Sequence, residues 1–128
     1  MRLLLDTHAF LWWVADDKRL SRRAHAAIAD RTNECLVSLV SCWEMAIKVS
    51  LGKLSLGSTV NQFVPSQMAT NGFTLLPIKF SHTARVASLA FHHRDPFDRV
   101  LVAQALLERL AIVSVDPAFR RYGVKRVW

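Results

Sequence analysis

Apolar residues gather in four short runs, Arg2 to Leu5, Cys35 to Ser38, Thr74 to Ile78 and Ala111 to Val115. None alternates cleanly with polar residues, so each reads as a strand covered on both faces rather than one face wet. Between the runs lie stretches with helical signals. Thr7 to Asp17 has no Gly or Pro. Arg22 to Arg31 follows a capping Ser21 and keeps Ala24, Ala27 and Ile28 on one face. Cys42 to Leu51 follows Ser41 and stops at Gly52. Gln62 to Thr70 is a weaker helix, since Pro65 falls inside it unless the helix begins there. Asn71-Gly72 is a turn. Ser81 caps a helix running through His92, and Asp95-Pro96 opens another that reaches about Leu110. Pro117 to Tyr122 reads as a short helical turn, and Val124 to Trp128 as an edge strand.

Strands that alternate with helices pair in parallel, because each crossover helix returns the chain to the same edge. The expected architecture is a single three-layer α/β/α domain over residues 1–128, around a mainly parallel sheet of four to five strands. Its 128 residues are one domain's worth, and no internal repeat or linker divides them. The apolar fraction of 52% provides a core, and eight Gly and Pro residues exclude low-complexity or disordered classes. No apolar run approaches the ~20 residues of a membrane span. Asp6 and His8 interrupt the first apolar stretch, which is therefore not a secretory signal. Cys35 and Cys42 are too few for a disulfide framework and fit no zinc spacing. A soluble cytoplasmic protein is expected.

Seventeen Lys and Arg residues against ten Asp and Glu give a net charge of +7, which suits a polyanionic partner. Against that background the carboxylates are informative. Asp6 and Asp116 each close an apolar strand, at the sheet edge where α/β proteins bind ligands. Glu44 and Asp98 fall in the first turns of helices that leave the same edge. Each has an ordinary alternative: Asp6 and Asp116 as helix caps, Asp98 favouring a helix dipole, Glu44 paired with Lys48 four residues on. Convergence of all four is what suggests chemistry. Clustered carboxylates repel unless a hard divalent cation joins them, and Mg²⁺ or Mn²⁺ prefers such oxygen ligands. A metal held by acids within a basic protein is what phosphodiester hydrolysis requires.

Longer motifs narrow the reading. The segments Leu3-Leu-Leu-Asp-Thr-His-Ala-Phe-Leu-Trp12, Ser38-Leu-Val-Ser-Cys-Trp-Glu-Met-Ala-Ile-Lys48 and Gly52-Lys-Leu54 occur in order. They are followed by His92-His-Arg-Asp-Pro-Phe-Asp-Arg-Val-Leu-Val-Ala-Gln-Ala105 and Ile112-Val-Ser-Val-Asp116, with Phe119 and Tyr122-Gly123 behind. In these the chain resembles the PIN-domain ribonucleases, most closely the VapC-like toxins of bacterial type II toxin–antitoxin pairs. The resemblance implies a Mg²⁺- or Mn²⁺-dependent endoribonuclease whose catalytic and metal-binding acids are Asp6, Glu44, Asp98 and Asp116. It also implies an RNA substrate, a homodimer, and a cognate antitoxin whose C-terminal segment covers the cleft.

Neighbouring residues carry two readings each. Thr7 and Ser41 either hold carboxylates by hydrogen bonds or cap helices. Arg99 and Lys48 either meet substrate phosphate or an antitoxin carboxylate, or are solvated or salt-bridged. His92 and His93, adjacent on a helix, diverge by about 100° and do not make a shared metal ligand set. Trp43 is expected in the core; Trp12 and Trp13 point in different directions, with core packing the default reading and an interface position for one of them the alternative. A dehalogenase-type phosphatase needs a second Asp two residues after the first, where His8 stands. A noncatalytic RNA-binding or protein-interaction module on the same fold is the remaining alternative.

Overall fold

A computed structural model describes residues 1–128. Five strands, β1 (Arg2–Leu5), β2 (Glu34–Ser38), β3 (Thr74–Leu76), β4 (Ala111–Val113) and β5 (Arg126–Val127), form one sheet in the order β3-β2-β1-β4-β5. Every pairing is parallel, so the sheet is wholly rather than mainly so. The six α-helices are α1 (Thr7–Val14), α2 (Arg22–Ala29), α3 (Leu39–Ser50), α4 (Val60–Asn71), α5 (Phe80–Val86) and α6 (Pro96–Glu108). A 3-10 helix, Pro117–Tyr122, precedes β5.

The three layers follow from the pleat. Successive strand residues point to opposite faces. Leu3, Leu5, Cys35, Val37, Ala111 and Val113 therefore join Phe10, Ala24, Ile28, Met45, Val64 and Met68 in one buried cluster. Leu4, Leu36 and Ile112 face the other way and meet Leu101, Val102, Ala105, Leu110 and Phe119. Helices α1, α2 and α4 thus cover one face, and α5 and α6 the other.

Several helix ends differ from the pattern read in the sequence. Ser38 caps α3, not Ser41, by accepting from the Val40 N–H at 3.0 Å. Helix α3 begins three residues before Cys42, at Leu39, and Ser41 becomes an interior residue free to turn toward Thr7. Helix α4 begins ahead of Pro65 because Thr59 and Gln62 form a capping box, which places the proline in the second turn. Helix α5 ends at Val86 instead of reaching His92. The buried Arg99 guanidinium donates to the carbonyls of Val86, Leu89 and Ala90 at 2.9–3.4 Å and supplies partners for the unwound turn.

A buried polar relay ties the second face together. Gln104 is fully buried, accepts from Ser38 Oγ (2.6 Å) and donates to the Pro77 carbonyl (3.2 Å). The Lys79 N–H donates to Nδ1 of buried His82, whose Nε2 pairs with Glu108 at 2.9 Å. Trp43, expected in the core, is 59% exposed and meets Phe97 edge-on, because the buried face of α3 is the one that carries Val40, Ser41, Glu44 and Met45.

Candidate active site

The order β3-β2-β1-β4-β5 has its switch point between β1 and β4: the chain leaves β1 toward β2 and β4 toward β5. Connections diverge there, and a crevice opens at the carboxyl edge. The ladder carries on past β1 as the Asp6 N–H donates to the Val113 carbonyl at 3.1 Å, which brings Asp6 beside the loop leading to Asp116. The resulting cleft of about 250 Å³ is lined by Asp6, Thr7, His8, Glu44, Asp95, Asp98, Val115, Asp116 and Phe119. All four carboxylates singled out in the sequence therefore border one cleft, and Asp95 joins them.

Capping and site roles coexist in these acids. Asp6 Oδ1 accepts from the Ala9 N–H at 2.7 Å and caps α1. Asp116 Oδ1 accepts from Ala118 N–H at 2.9 Å and caps the 3-10 helix. Asp95 caps α6 through the Phe97 N–H, and Asp98 lies in the first turn of that helix. A cap fixes the carboxylate against a rigid backbone, so the same bond that begins the helix orients the acid at the cleft.

Glu44 is held from two sides. Thr7 Oγ1 donates to Oε1 at 2.7 Å and shares a 2.9 Å hydrogen bond with Ser41. Lys48 Nζ donates to Oε2 at 2.7 Å. Thr7 and Ser41 thus act on a carboxylate, Ser41 one step removed. Lys48 is salt-bridged rather than waiting for phosphate, and Arg99 is spent on backbone carbonyls, so neither is a free cation. Glu44 sits in the second turn of α3, not the first, a consequence of the longer helix.

The electrostatics of the cleft are unbalanced toward negative charge. Burial raises the Asp6 carboxyl, against the Ser114 hydroxyl and the Ala9 N–H, and Glu44 adds to the rise. Burial, then the neighbouring Asp95, push Asp98 up to about 7, with Asp6 and Glu44 contributing. Burial also acts upward on Asp116, but the Ala118 N–H and His93 outweigh it and hold that carboxyl below its ordinary value. Arg126 braces its loop by donating to the Ser114 and Val115 carbonyls at 2.9 and 2.7 Å. Facing carboxylate oxygens, with Asp6 and Asp98 raised in part by their acidic neighbours, match the donor set of a hard divalent cation. Ligand atoms of Asp98, Asp116 and His93 lie within 4.8 Å of one another.

His93 is the residue that reasoning from the sequence passed over. Its Nε2 lies 2.6 Å from Asp116 Oδ2, and its neighbour His92 turns away to pack against the edge of the Tyr122 ring. The two histidines do diverge, as expected for consecutive positions, yet one of them reaches an acid 23 residues downstream. The sequence signal was present in Tyr122, whose contact with both histidines only the fold reveals.

Beside the acidic cleft, and sharing His8 with it, lies a hollow of about 420 Å³. Leu11, Trp12, Val14, Leu54 and Phe63 line it, with Arg19, Lys48 and Lys53 at its rim. Trp12 stands here under the Arg19 guanidinium, whereas Trp13 is tied to Asn71 at 2.9 Å and stacks on His25.

Comparison with known proteins agrees with this geometry. The "Ribonuclease VapC22" of Mycobacterium tuberculosis is 29% identical over 129 aligned residues, covering 98% of both chains. Among solved structures, VapBC2 from Rickettsia felis, bound to a DNA fragment from its promoter, superposes with a TM-score of 0.72 at 12% identity over the full length of both chains. A toxin–antitoxin complex from Klebsiella pneumoniae gives 0.60 at 19% identity, over 89% of this chain and 86% of the other. The family model for the PIN domain matches residues 3–125, from the first buried leucine to the approach of the last strand, and the chain belongs to the PIN-domain family.

Proposed function

We propose that this PIN domain is the endoribonuclease toxin of a type II toxin–antitoxin pair. The observation that carries the proposal is the meeting of Asp6, Glu44, Asp98 and Asp116, from four distant segments, in one cleft of a chain with net charge +7. The anionic cleft suits a metal, and the cationic remainder suits an RNA backbone. The full-length likeness to a curated ribonuclease supports the same reading.

In this proposal Asp6, Asp98 and Asp116 hold the metal, Mg²⁺ or Mn²⁺, with Glu44 as the fourth acid. A bound divalent ion lowers the pKa of a coordinated water and stabilises charge on the phosphoryl oxygens. Asp6 and Asp116 present carboxylates already fixed by their helix caps, so little conformational freedom is lost on ligation. Thr7 and Lys48 hold Glu44 in one orientation and prevent it from swinging to solvent. Asp98, whose carboxyl burial and Asp95 push up to about 7, would hold the cation as a carboxylate, so ligation there would be coupled to loss of a proton.

The antitoxin is assigned to the neighbouring hollow, whose apolar lining of Leu11, Trp12, Val14, Leu54 and Phe63 suits the apolar face of an amphipathic segment that continues past His8 over the acids. A homodimer is part of the same proposal, supported by the exposed Leu39 and Trp43 on one face of α3. Expression of the protein alone is expected to arrest bacterial growth, and co-expression of the partner to relieve the arrest. The Asp6→Asn and Asp116→Asn variants are expected to be harmless while remaining folded. A noncatalytic module would leave growth arrest, if any, unaffected by either substitution.

A further inference from the structure

The hydrogen bonds around His93 fix a hydrogen on one ring nitrogen. Tyr122 Oη lies 3.2 Å from the backbone nitrogen of His92 and 3.0 Å from His93 Nδ1. The His92 N–H can only donate, so it occupies one lone pair of the tyrosine oxygen, which meets Nδ1 with its hydrogen or its second lone pair. A carboxylate can only accept, so Nε2 bears the hydrogen of the 2.6 Å bond to Asp116 Oδ2.

The ring has little room to leave this arrangement. Its side chain is 7% exposed. It lies within 10° of parallel to Tyr122 and packs on Phe119 with centroids 4.7 Å apart. Tyr122 and Phe119 both belong to the 3-10 helix that Asp116 caps, so the relay and its target are built on one rigid turn. Asp116 is thereby held at both oxygens, Oδ1 by the Ala118 N–H and Oδ2 by His93.

We infer that His93 is a positioning residue: tied at Nδ1 to Tyr122 and donating from Nε2, it holds the Asp116 carboxylate in the orientation that receives the metal, without itself being a ligand. The inference rests on the proposed metal site. Its physical basis is that an imidazole whose Nε2 bears hydrogen toward a carboxylate and whose Nδ1 is engaged by a phenol offers no free lone pair to an ion. Hard divalent ions moreover favour the oxygens of Asp98 and Asp116 over nitrogen.

The test compares the wild type with His93→Phe, His93→Gln and Tyr122→Phe. His93→Phe keeps an aromatic ring between Phe119 and Tyr122 but removes the donor; His93→Gln replaces the donor with an amide N–H. Imidazole ¹⁵N spectra of the metal-free protein are expected to show a hydrogen on His93 Nε2, with the Nδ1 signal moved in Tyr122→Phe. Mn²⁺ affinity, read by electron paramagnetic resonance, is expected to fall about 10- to 100-fold in His93→Phe. His93→Gln is expected to recover most of that loss. Pulsed resonance spectra of the Mn²⁺-loaded wild type are expected to lack a directly bound nitrogen.

A ring without hydrogen on Nε2, a His93→Phe variant that binds Mn²⁺ as tightly as wild type, or a coordinated ¹⁴N from His93 would each overturn the inference. Failure of the wild type to bind Mn²⁺ would instead overturn the metal site on which it rests. The nitrogen spectra of the metal-free protein tell the two failures apart.

Discussion

Removing the charge of Asp98 should stabilise the metal-free protein by an amount that grows as pH rises from about 4 and levels off above about 7. Asp98 titrates near 7 in the folded chain against an ordinary 3.8, because of burial and the adjacent Asp95. A carboxyl whose folded pKa is raised binds its proton more tightly folded than unfolded, so stability falls as pH climbs from about 4 through about 7. The full interval corresponds to about 4 kcal/mol, at about 1.36 kcal/mol for each tenfold change. Asp98 is only partly buried, and solvent screening brings the expected contribution to about 2 kcal/mol. Asp98→Asn removes the charge at nearly constant shape. In chelator above pH ~7.5 its Tm is expected to exceed that of wild type by about 8 °C, taking ~4 °C per kcal/mol for a domain of this size. Near pH 4.5, where Asp98 is protonated when folded, the difference should shrink toward zero. Adding Mg²⁺ should reverse the order above neutral pH, since only the wild type retains the full acid set and gains by mass action. Thermal unfolding followed by circular dichroism measures all of this. A variant no more stable than wild type in chelator at alkaline pH, or a difference independent of pH, would refute the electrostatic description of the cleft.

Three further outcomes are expected. Gln104→Leu leaves the Pro77 carbonyl and Ser38 Oγ without their buried partner and should cost about 2 kcal/mol in denaturant unfolding. Arg99→Met should lose about 2–3 kcal/mol, as charge-assisted bonds to the Val86, Leu89 and Ala90 carbonyls disappear, while the folded variant still cleaves RNA. A phosphate-binding Arg99 would show the opposite, normal unfolding with impaired cleavage. Trp12→Ser should leave toxicity intact and weaken relief by the antitoxin, measured as partner affinity, by about 2–4 kcal/mol for a hot-spot aromatic.

The fold was legible because its information is local and repeated. Leu3-Leu-Leu5 and Ala111-Ile-Val113 carry buried strands in three residues each, and the helices between them dictate parallel pairing. Asp6 and Asp116 could be placed at the carboxyl edge before any partner was known, because each directly follows such a run. Helix ends were less legible, since capping competes with longer-range demands. Ser38 and Ser41 are equivalent caps on paper, and only the Ser38 contact with Gln104, 66 residues away, separates them. Arg99 likewise follows an acid in sequence, yet its carbonyl partners come from a turn whose early unwinding carries no local signal. Trp43 was misplaced because an i, i+4 pair with Ile47 fixes a shared face but not which way that face points. His93 was weighed only as a metal ligand beside His92, since its contacts depend on Tyr122, 29 residues on, and on the loop that brings Asp116 to the ring's other nitrogen.

Cleavage of total bacterial RNA by the purified protein tests the central claim most directly. The protein is incubated with Mg²⁺ or Mn²⁺, with chelator, and beside the Asp6→Asn variant, after removal of any bound antitoxin. Expected are discrete products that require the metal and vanish in the variant, whose fold persists by circular dichroism. Products that survive both chelator and Asp6→Asn, or RNA left intact by a folded, antitoxin-free wild type with metal present, would contradict a nuclease built on these four acids.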